Sequence, residues 1–296
     1  MFKSLSPNIA GALLMVASMA AFTINDTFVK LVGQTIPLFQ LLTLRAILST
    51  ILLAALARSL GQFRLTMPVQ DRGLVALRCV AEIGAAFFFL SALLAMPLAN
   101  VTAILQVLPL TVTLGAALFF REQVGWRRML AILAGFVGML LIVRPGPDGF
   151  TQHAIYALAA VGAVTLRDLV TRKMSAEVSS MTVTVITSAS ILVFFGCASL
   201  STEWQPVTLR EGWLIAASAI FVIGGYAFSV MVMRVGEVSV IAPFRYSGLL
   251  WALILGWLVF GDWPDAVTML GAFIVLISGL FTLYRERHVK ARKTPA

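Results

Sequence analysis

Ten runs of about 20 mostly apolar residues fill this chain, each long enough to cross the roughly 30 Å hydrocarbon core of a bilayer as a helix. They lie near 9–31, 38–58, 73–94, 98–120, 128–144, 152–171, 179–199, 212–233, 238–259 and 265–284. Backbone groups in lipid must be satisfied within the spanning element itself, which leaves helices or closed barrels. Runs this long predict helices, so the expectation is an all-α integral membrane protein with ten transmembrane helices. The composition agrees. Of the 296 residues 60% are hydrophobic and 12% charged, against about 25% charged in soluble domains. No soluble domain fits between the runs.

A net charge of +9 raises the question of nucleic acid, and its placement answers it. Four arginines (Arg45, Arg78, Arg167 and Arg245) lie inside spans, leaving 18 basic residues at loops and helix ends. If the helices alternate direction, 15 of these fall on one side, among them Lys3, Arg58, Arg64, Arg72, Arg121, Arg127, Arg128, Arg172, Lys173 and Arg234, together with the tail after Tyr284. Only Lys30, Arg144 and Arg210 remain opposite. The positive-inside rule then puts both termini in the cytoplasm. The basic tail at 285–296 reads as a topology and surface anchor, and no nucleic-acid partner is expected. The first apolar run, which contains Asn25-Asp26, reads as a retained span, not a cleaved signal.

Cys79 and Cys197 lie in different spans and read as packing residues, without a disulfide framework. Two histidines, His153 and His288, cannot assemble a zinc-type cluster. No metal or cofactor is expected. There is no HExxH or GxSxG motif, so no base stands beside a nucleophile and the chain is not read as an enzyme.

Seven ionisable residues stand within spans: Asp26, Arg45, Arg78, Glu82, Arg167, Asp168 and Arg245. A charge at the centre of a bilayer costs roughly 2.5–3.5 kcal/mol on insertion scales, so such residues face partners or a watery cavity. The sequence RVGEVSVIAPFRYSGLLWALILGWLVFGDWPD (234–265) concentrates the problem. Pro243 frees the carbonyl of Ser239 beside Arg245 and Tyr246, and Gly248, Ala252 and Gly256 form a small-residue stripe for close helix packing. Ala131, Gly135, Ala134 and Gly138 serve the fifth helix in the same way, with Arg144-Pro145-Gly146-Pro147 ending it. In the first helix Asp26 and Lys30 share a face, as a helix-end ion pair or as part of a polar cluster with Asn25. Arg45 reads as architectural.

Arg78 and Glu82, also four apart, either neutralise each other or leave Glu82 as a carboxylate able to carry a proton. Phe87, Phe88 and Phe89 follow, with at least one ring facing lipid. The short link Ala95-Met96-Pro97-Leu98 makes the third and fourth helices antiparallel neighbours. In the fourth, Pro109 frees the carbonyl of Leu105 beside Gln106, a second kinked polar spot. Arg167 and Asp168 are adjacent and point about 100° apart on a helix, so each is expected to partner another helix and not its neighbour. The Thr and Ser hydroxyls of the seventh helix bond their own backbone and receive no role. Gly224-Gly225-Tyr226 marks a bend or close contact in the eighth.

A shift of 140 residues aligns LFFREQ…ML at 118–130 with LVFGDW…ML at 258–270, and a shift of 142 pairs Thr23, Asp26 and Lys30 with Thr165, Asp168 and Arg172. The chain is therefore read as two halves, 1–145 and 146–284, of five helices each. Five is odd, so the second copy enters the membrane from the opposite side. Two inverted five-helix repeats characterise secondary transporters.

Three segments, MPLANVTAILQVLPL (96–110), REQVGWRRMLAILAGFVGMLLIVRPG (121–146) and APFRYSGLLWALILGWLVFGDWPDAVTMLGAFIVLISG (242–279), resemble the ten-helix, two-repeat EamA branch of the drug/metabolite transporter superfamily. The resemblance covers essentially the whole chain and implies cytoplasmic termini, a central cavity and alternating access. LRCVAEIGAAFFFL, VTLRDLVTRKM and APFRYSGLLWA look similar to the branch of bacterial riboflavin importers, and more distantly to S-adenosylmethionine transporters. What this implies is an inner-membrane transporter of a small organic metabolite, riboflavin first, with export of amino acids or amphipathic metabolites as the alternative. The expected site residues are Asn25, Asp26, Arg78, Glu82, Gln106, Arg167, Asp168, Arg245 and Tyr246. The expected partners are the substrate and the lipid bilayer, with proton coupling and a homodimer left open.

Overall fold

The apolar runs become helices where hydropathy places them. In the computed structural model they are α1 (Pro7–Val32), α2 (Leu38–Ser59), α3 (Val69–Ala95), α4 (Leu98–Phe120), α5 (Trp126–Val143), α6 (Gln152–Lys173), α7 (Ser180–Ser199), α8 (Leu209–Val235), α9 (Ala242–Phe260) and α10 (Ala266–Lys293). The structure describes residues 6–59, 61, 67–122, 124–144, 146, 150–175, 177–235 and 241–293. Lys3, Arg64, Pro145, Pro147 and Ser239, all with expected roles, lie outside the described residues, as do the side chains of Arg234, Arg287, His288, Lys290, Arg292 and Lys293.

Two helices are broken where proline predicts it. In α4 the regular helix stops at Leu105 and resumes at Leu108, with Gln106 and Val107 between. Pro109 has no N–H to return to Leu105. In α9 the segment Ala242–Tyr246, which includes Pro243, is a tight 3-10 turn before the α-helix starts at Ser247. Arg245 and Gln106 thus both stand on irregular backbone.

The chain divides into two compact units that cut across the sequence halves. The first comprises Met1–Ile24, Met96–Ile155 and Gly224–Ala296, and the second Asn25–Ala95 and Tyr156–Ile223. The boundaries fall inside α1, α6 and α8. The boundary between Ala95 and Met96 falls at the short link between α3 and α4.

In the first unit α5 and α10 cross at two glycines. A Cβ on Gly138 would stand 2.7 Å from the Gly271 carbonyl, and one on Gly271 2.5 Å from that of Gly138. The small residues therefore allow backbone-to-backbone contact. Arg144, in left-handed conformation, caps α5 and pairs with Asp265, which also accepts from the Thr268 N–H at the start of α10. Gly248 of α9 lies against Gln106 and Met19, and Gly256 against Leu98, so the stripe on α9 is a seam against α4. Ser18 Oγ donates to the Gly225 carbonyl at 2.8 Å, and the Phe22 ring fills the space a Cβ on Gly225 would need. Gly224-Gly225 is thus a close contact.

In the second unit α2 and α7 pack through Leu53, Ala57 and Val185, with Thr50 and Ser188 hydrogen-bonded at 2.7 Å. Val75 and Cys79 of α3 meet Val183 of the same α7. Buried Gln40 donates to the Gln205 carbonyl and accepts from its N–H, at 2.7 and 2.9 Å. Buried Asp71 receives the Ser175 hydroxyl at 2.6 Å, tying the start of α3 to the end of α6. Thr208 and Glu211 form a reciprocal cap at the start of α8.

Candidate functional site

Six of the nine expected site residues, Asn25, Asp26, Arg78, Glu82, Arg167 and Asp168, fall in the second unit; Gln106, Arg245 and Tyr246 fall in the first.

Within the second unit the charges sort into two sets. The larger joins α3, α6 and α7. Arg78 reaches Glu82 one turn along at 4.0 Å, and Arg167 approaches the same carboxylate at 3.3 Å. Arg167 also donates from Nε to Asp168 at 2.9 Å, with Nη2 2.8 Å away. Arg78 Nε donates to Thr171 Oγ1 at 2.9 Å and its Nη1 to Thr187 Oγ1 at 2.5 Å. Two cations and two anions thus neutralise one another, which is how charges persist in a low-dielectric setting.

Two sequence expectations change here. Arg167 and Asp168 do bond each other although their Cβ vectors diverge, because the long guanidinium stem curls back along the helix to its neighbour. The same side chain still reaches another helix through Glu82. The hydroxyls of α7 also have a role. Thr187 donates to its own helix at the Val183 carbonyl and accepts from Arg78, while Thr184 and Ser190 bond their own backbone. The one available signal was arginine's five donors, which exceed what a single carboxylate takes.

The smaller set joins α1 and α2. Buried Asn25 donates from Nδ2 to Asp26 Oδ1 at 2.9 Å and accepts from Arg45 Nη1 at 3.5 Å. Its amide is a spacer with the oxygen toward the cation and the nitrogen toward the anion. Lys30 extends to the Leu93 carbonyl at 2.8 Å. Nearby rings form a chain within this unit: Phe39 stacks on Phe87 at 6.0 Å, and Phe87 and Phe88 both meet Tyr156.

In the first unit Arg245 is exposed on the 3-10 turn and makes no hydrogen bond or ion pair among the described residues. Tyr246 turns the other way and is buried, with its hydroxyl at Gly279 of α10. The Tyr246 hydroxyl, the Asn100 carbonyl oxygen and the Ser247 hydroxyl are buried without hydrogen-bond partners among the described residues. The Gln106 amide nitrogen faces Gly248, 3.6 Å from where a Cβ would stand.

The repeat is visible in these contacts. Thr23 Oγ1 bonds the Met19 carbonyl at 2.9 Å, and Thr165 Oγ1 bonds that of Val161 at 2.7 Å. Both pairs are related by the shift of 142.

The EamA-like transporter family model matches residues 9–144 and again 152–284. A riboflavin transporter of Vibrio cholerae is 27% identical over 96% of both chains. A pseudopaline exporter of Pseudomonas aeruginosa is 25% identical over 91% of this chain and 94% of its own. An S-adenosylmethionine uptake transporter of Rickettsia bellii is 24% identical over 67% of each. A crystal structure with 16% identity and a TM-score of 0.64, spanning 94% of this chain and 98% of its own, shares the fold. With two family segments covering nearly its whole length and ten membrane-length helices among the described residues, this chain belongs to the EamA-like transporter family and is a small-molecule transporter.

Proposed function

We propose that the chain imports riboflavin, or a metabolite of that size and polarity, across a bacterial inner membrane by alternating access. The observation that carries this reading is similarity to the Vibrio cholerae riboflavin transporter along 96% of both chains. Both termini are cytoplasmic in this reading, on the strength of the basic loops. The halves 1–145 and 146–284 act as inverted repeats, followed by the basic tail at 285–296. Arg245, Gln106 and Tyr246 of the first unit offer donors and acceptors to a polar ring edge or hydroxyls. In the second unit the same reading assigns Asn25, Asp26, Arg78, Glu82, Arg167 and Asp168 to polar groups of the cargo or to holding such groups in place.

The test is uptake of labelled riboflavin by an auxotrophic bacterium expressing the chain, beside Arg245→Ala and an empty vector. Uptake above the vector that the variant loses supports both cargo and site. Absence of uptake from protein shown to reach the membrane rejects riboflavin.

Similarity to the pseudopaline exporter along more than nine-tenths of both chains favours a second reading, export of an amphipathic metabolite coupled to protons through Asp26 or Glu82. Accumulation with and without a proton gradient separates the two. The partial match to an S-adenosylmethionine transporter makes that compound the next cargo to test.

A further inference from the structure

The repeat places one pair of side chains at equivalent positions and gives them different chemistry. Asn25-Asp26 and Arg167-Asp168 are related by the shift of 142 residues that also relates Thr23 to Thr165. In each pair the first residue turns back and donates to the carboxylate of the second, at 2.9 Å in both. Asp26 receives a neutral amide. Asp168 receives a guanidinium, which approaches through a second nitrogen at 2.8 Å and continues to Glu82.

The cation belonging to the first pair stands one residue away. Arg45 of α2 meets Asn25 Oδ1 at 3.5 Å, with the amide between it and Asp26. Its equivalent under the same shift is Thr187, which accepts from Arg78. The second copy thus joins guanidiniums and carboxylates directly, whereas in the first the described hydrogen bonds run from Arg45 to the Asn25 amide and from that amide to Asp26.

We propose that the two repeat-related carboxylates have diverged into a filled site and an open one. Asp168 is occupied by the chain's own Arg167. Asp26 is the acceptor for an N–H or O–H donor of the cargo, and Asn25 holds it open. This rests on the reading of the chain as a transporter of a polar organic metabolite. Arg167 is then a positioning residue. A carboxylate with one neutral donor keeps lone pairs for a ligand, while one held by a charge-assisted contact is already satisfied.

The test is labelling of the purified protein by a hydrophobic carbodiimide, with modified carboxylates located by peptide mass spectrometry. Wild type, Asn25→Arg, Asn25→Gln and Arg167→Asn are compared, with and without saturating riboflavin. The expected result is an adduct at Asp26 severalfold above that at Asp168. Asn25→Arg suppresses it and abolishes uptake, Asn25→Gln keeps the labelling and controls for folding, and Arg167→Asn opens Asp168 to label. Equal or stronger labelling of Asp168 in wild type, or undiminished labelling of Asp26 in Asn25→Arg, overturns the assignment. If the expected pattern appears without protection by riboflavin, the assignment of Asp26 stands and riboflavin as cargo falls.

Discussion

Arg121 and Gly261, 140 residues apart, end α4 and α9 in the same left-handed conformation, at φ 55° and 71°. The bonds around them match. The Glu122 N–H returns to the Ala116 carbonyl and the Asp262 N–H to that of Gly256, each pair again related by 140. The second copy uses the residue this geometry favours; the first does not.

Left-handed backbone costs a side-chain-bearing residue about 1–2 kcal/mol. Arg121→Gly is therefore expected to raise stability by up to about 1 kcal/mol once the extra freedom of the unfolded chain is set against it. Gly261→Ala should lower it by a similar amount. Thermal unfolding in detergent measures both; no difference between the two directions would reject the strain.

The crossing of α5 and α10 makes a sharper forecast. Gly271→Ala brings a methyl against the Gly138 backbone, and backbone cannot step aside as a side-chain tip can. A loss of about 1–3 kcal/mol is expected, typical of overpacking. Gly162→Ala, where the structure offers open space, should be neutral or slightly stabilising in the same assay.

Glu82 lies between Arg78 and Arg167. Glu82→Gln leaves both guanidiniums without that charge, and a loss of about 3 kcal/mol is expected, as when one partner of a buried ion pair is removed. The double variant Glu82→Gln with Arg167→Gln should lose less than the sum of the singles. Strict additivity would mean that the two side chains do not interact.

Tyr246→Phe removes a buried hydroxyl that lacks a partner among the described residues. Stability should hold or rise by about 1 kcal/mol, since an unsatisfied buried donor is itself unfavourable. Transport by the variant then reads the hydroxyl's contribution to cargo binding, separately from the fold. A marked fall in stability would point to a partner in the folded protein.

At the start of α10, outside the span, the Thr268 N–H and then the Arg144 guanidinium hold the Asp265 carboxyl below the usual carboxylate range. The lowered value means that this contribution is present above the ordinary carboxylate range and is lost as pH falls through the value in the folded protein. Wild type and Asp265→Ala should therefore differ in thermal stability at neutral pH and converge in acid. A difference that persists in acid would rule out the charge as its source.

The ten spans, the breaks at Pro109 and Pro243 and the repeat were legible in the sequence because each is a local property: hydropathy over a helix length, a missing N–H, a recurring spacing. The small-residue seams at Gly138 and Gly248 were legible for the same reason. What lay beyond reach depends on which helix faces which. The bond from Arg78 to Thr187, the doubling of Arg167 onto Asp168 and Glu82, and the clamp of Gln40 on Gln205 join residues far apart in sequence. Apolar helices in lipid carry almost no periodic polar face to announce such pairings. Direction within a helix misled once, because the reach of an arginine exceeds the angle between neighbouring Cβ atoms.

The unit boundaries that fall inside α1, α6 and α8 bear on ancestry. Each compact unit draws helices from both sequence halves, so neither half alone would contain a finished core. A single five-helix ancestor would therefore have needed a second copy to complete either core. The two copies now differ at matching positions, where an asparagine donates to one aspartate and an arginine to the other.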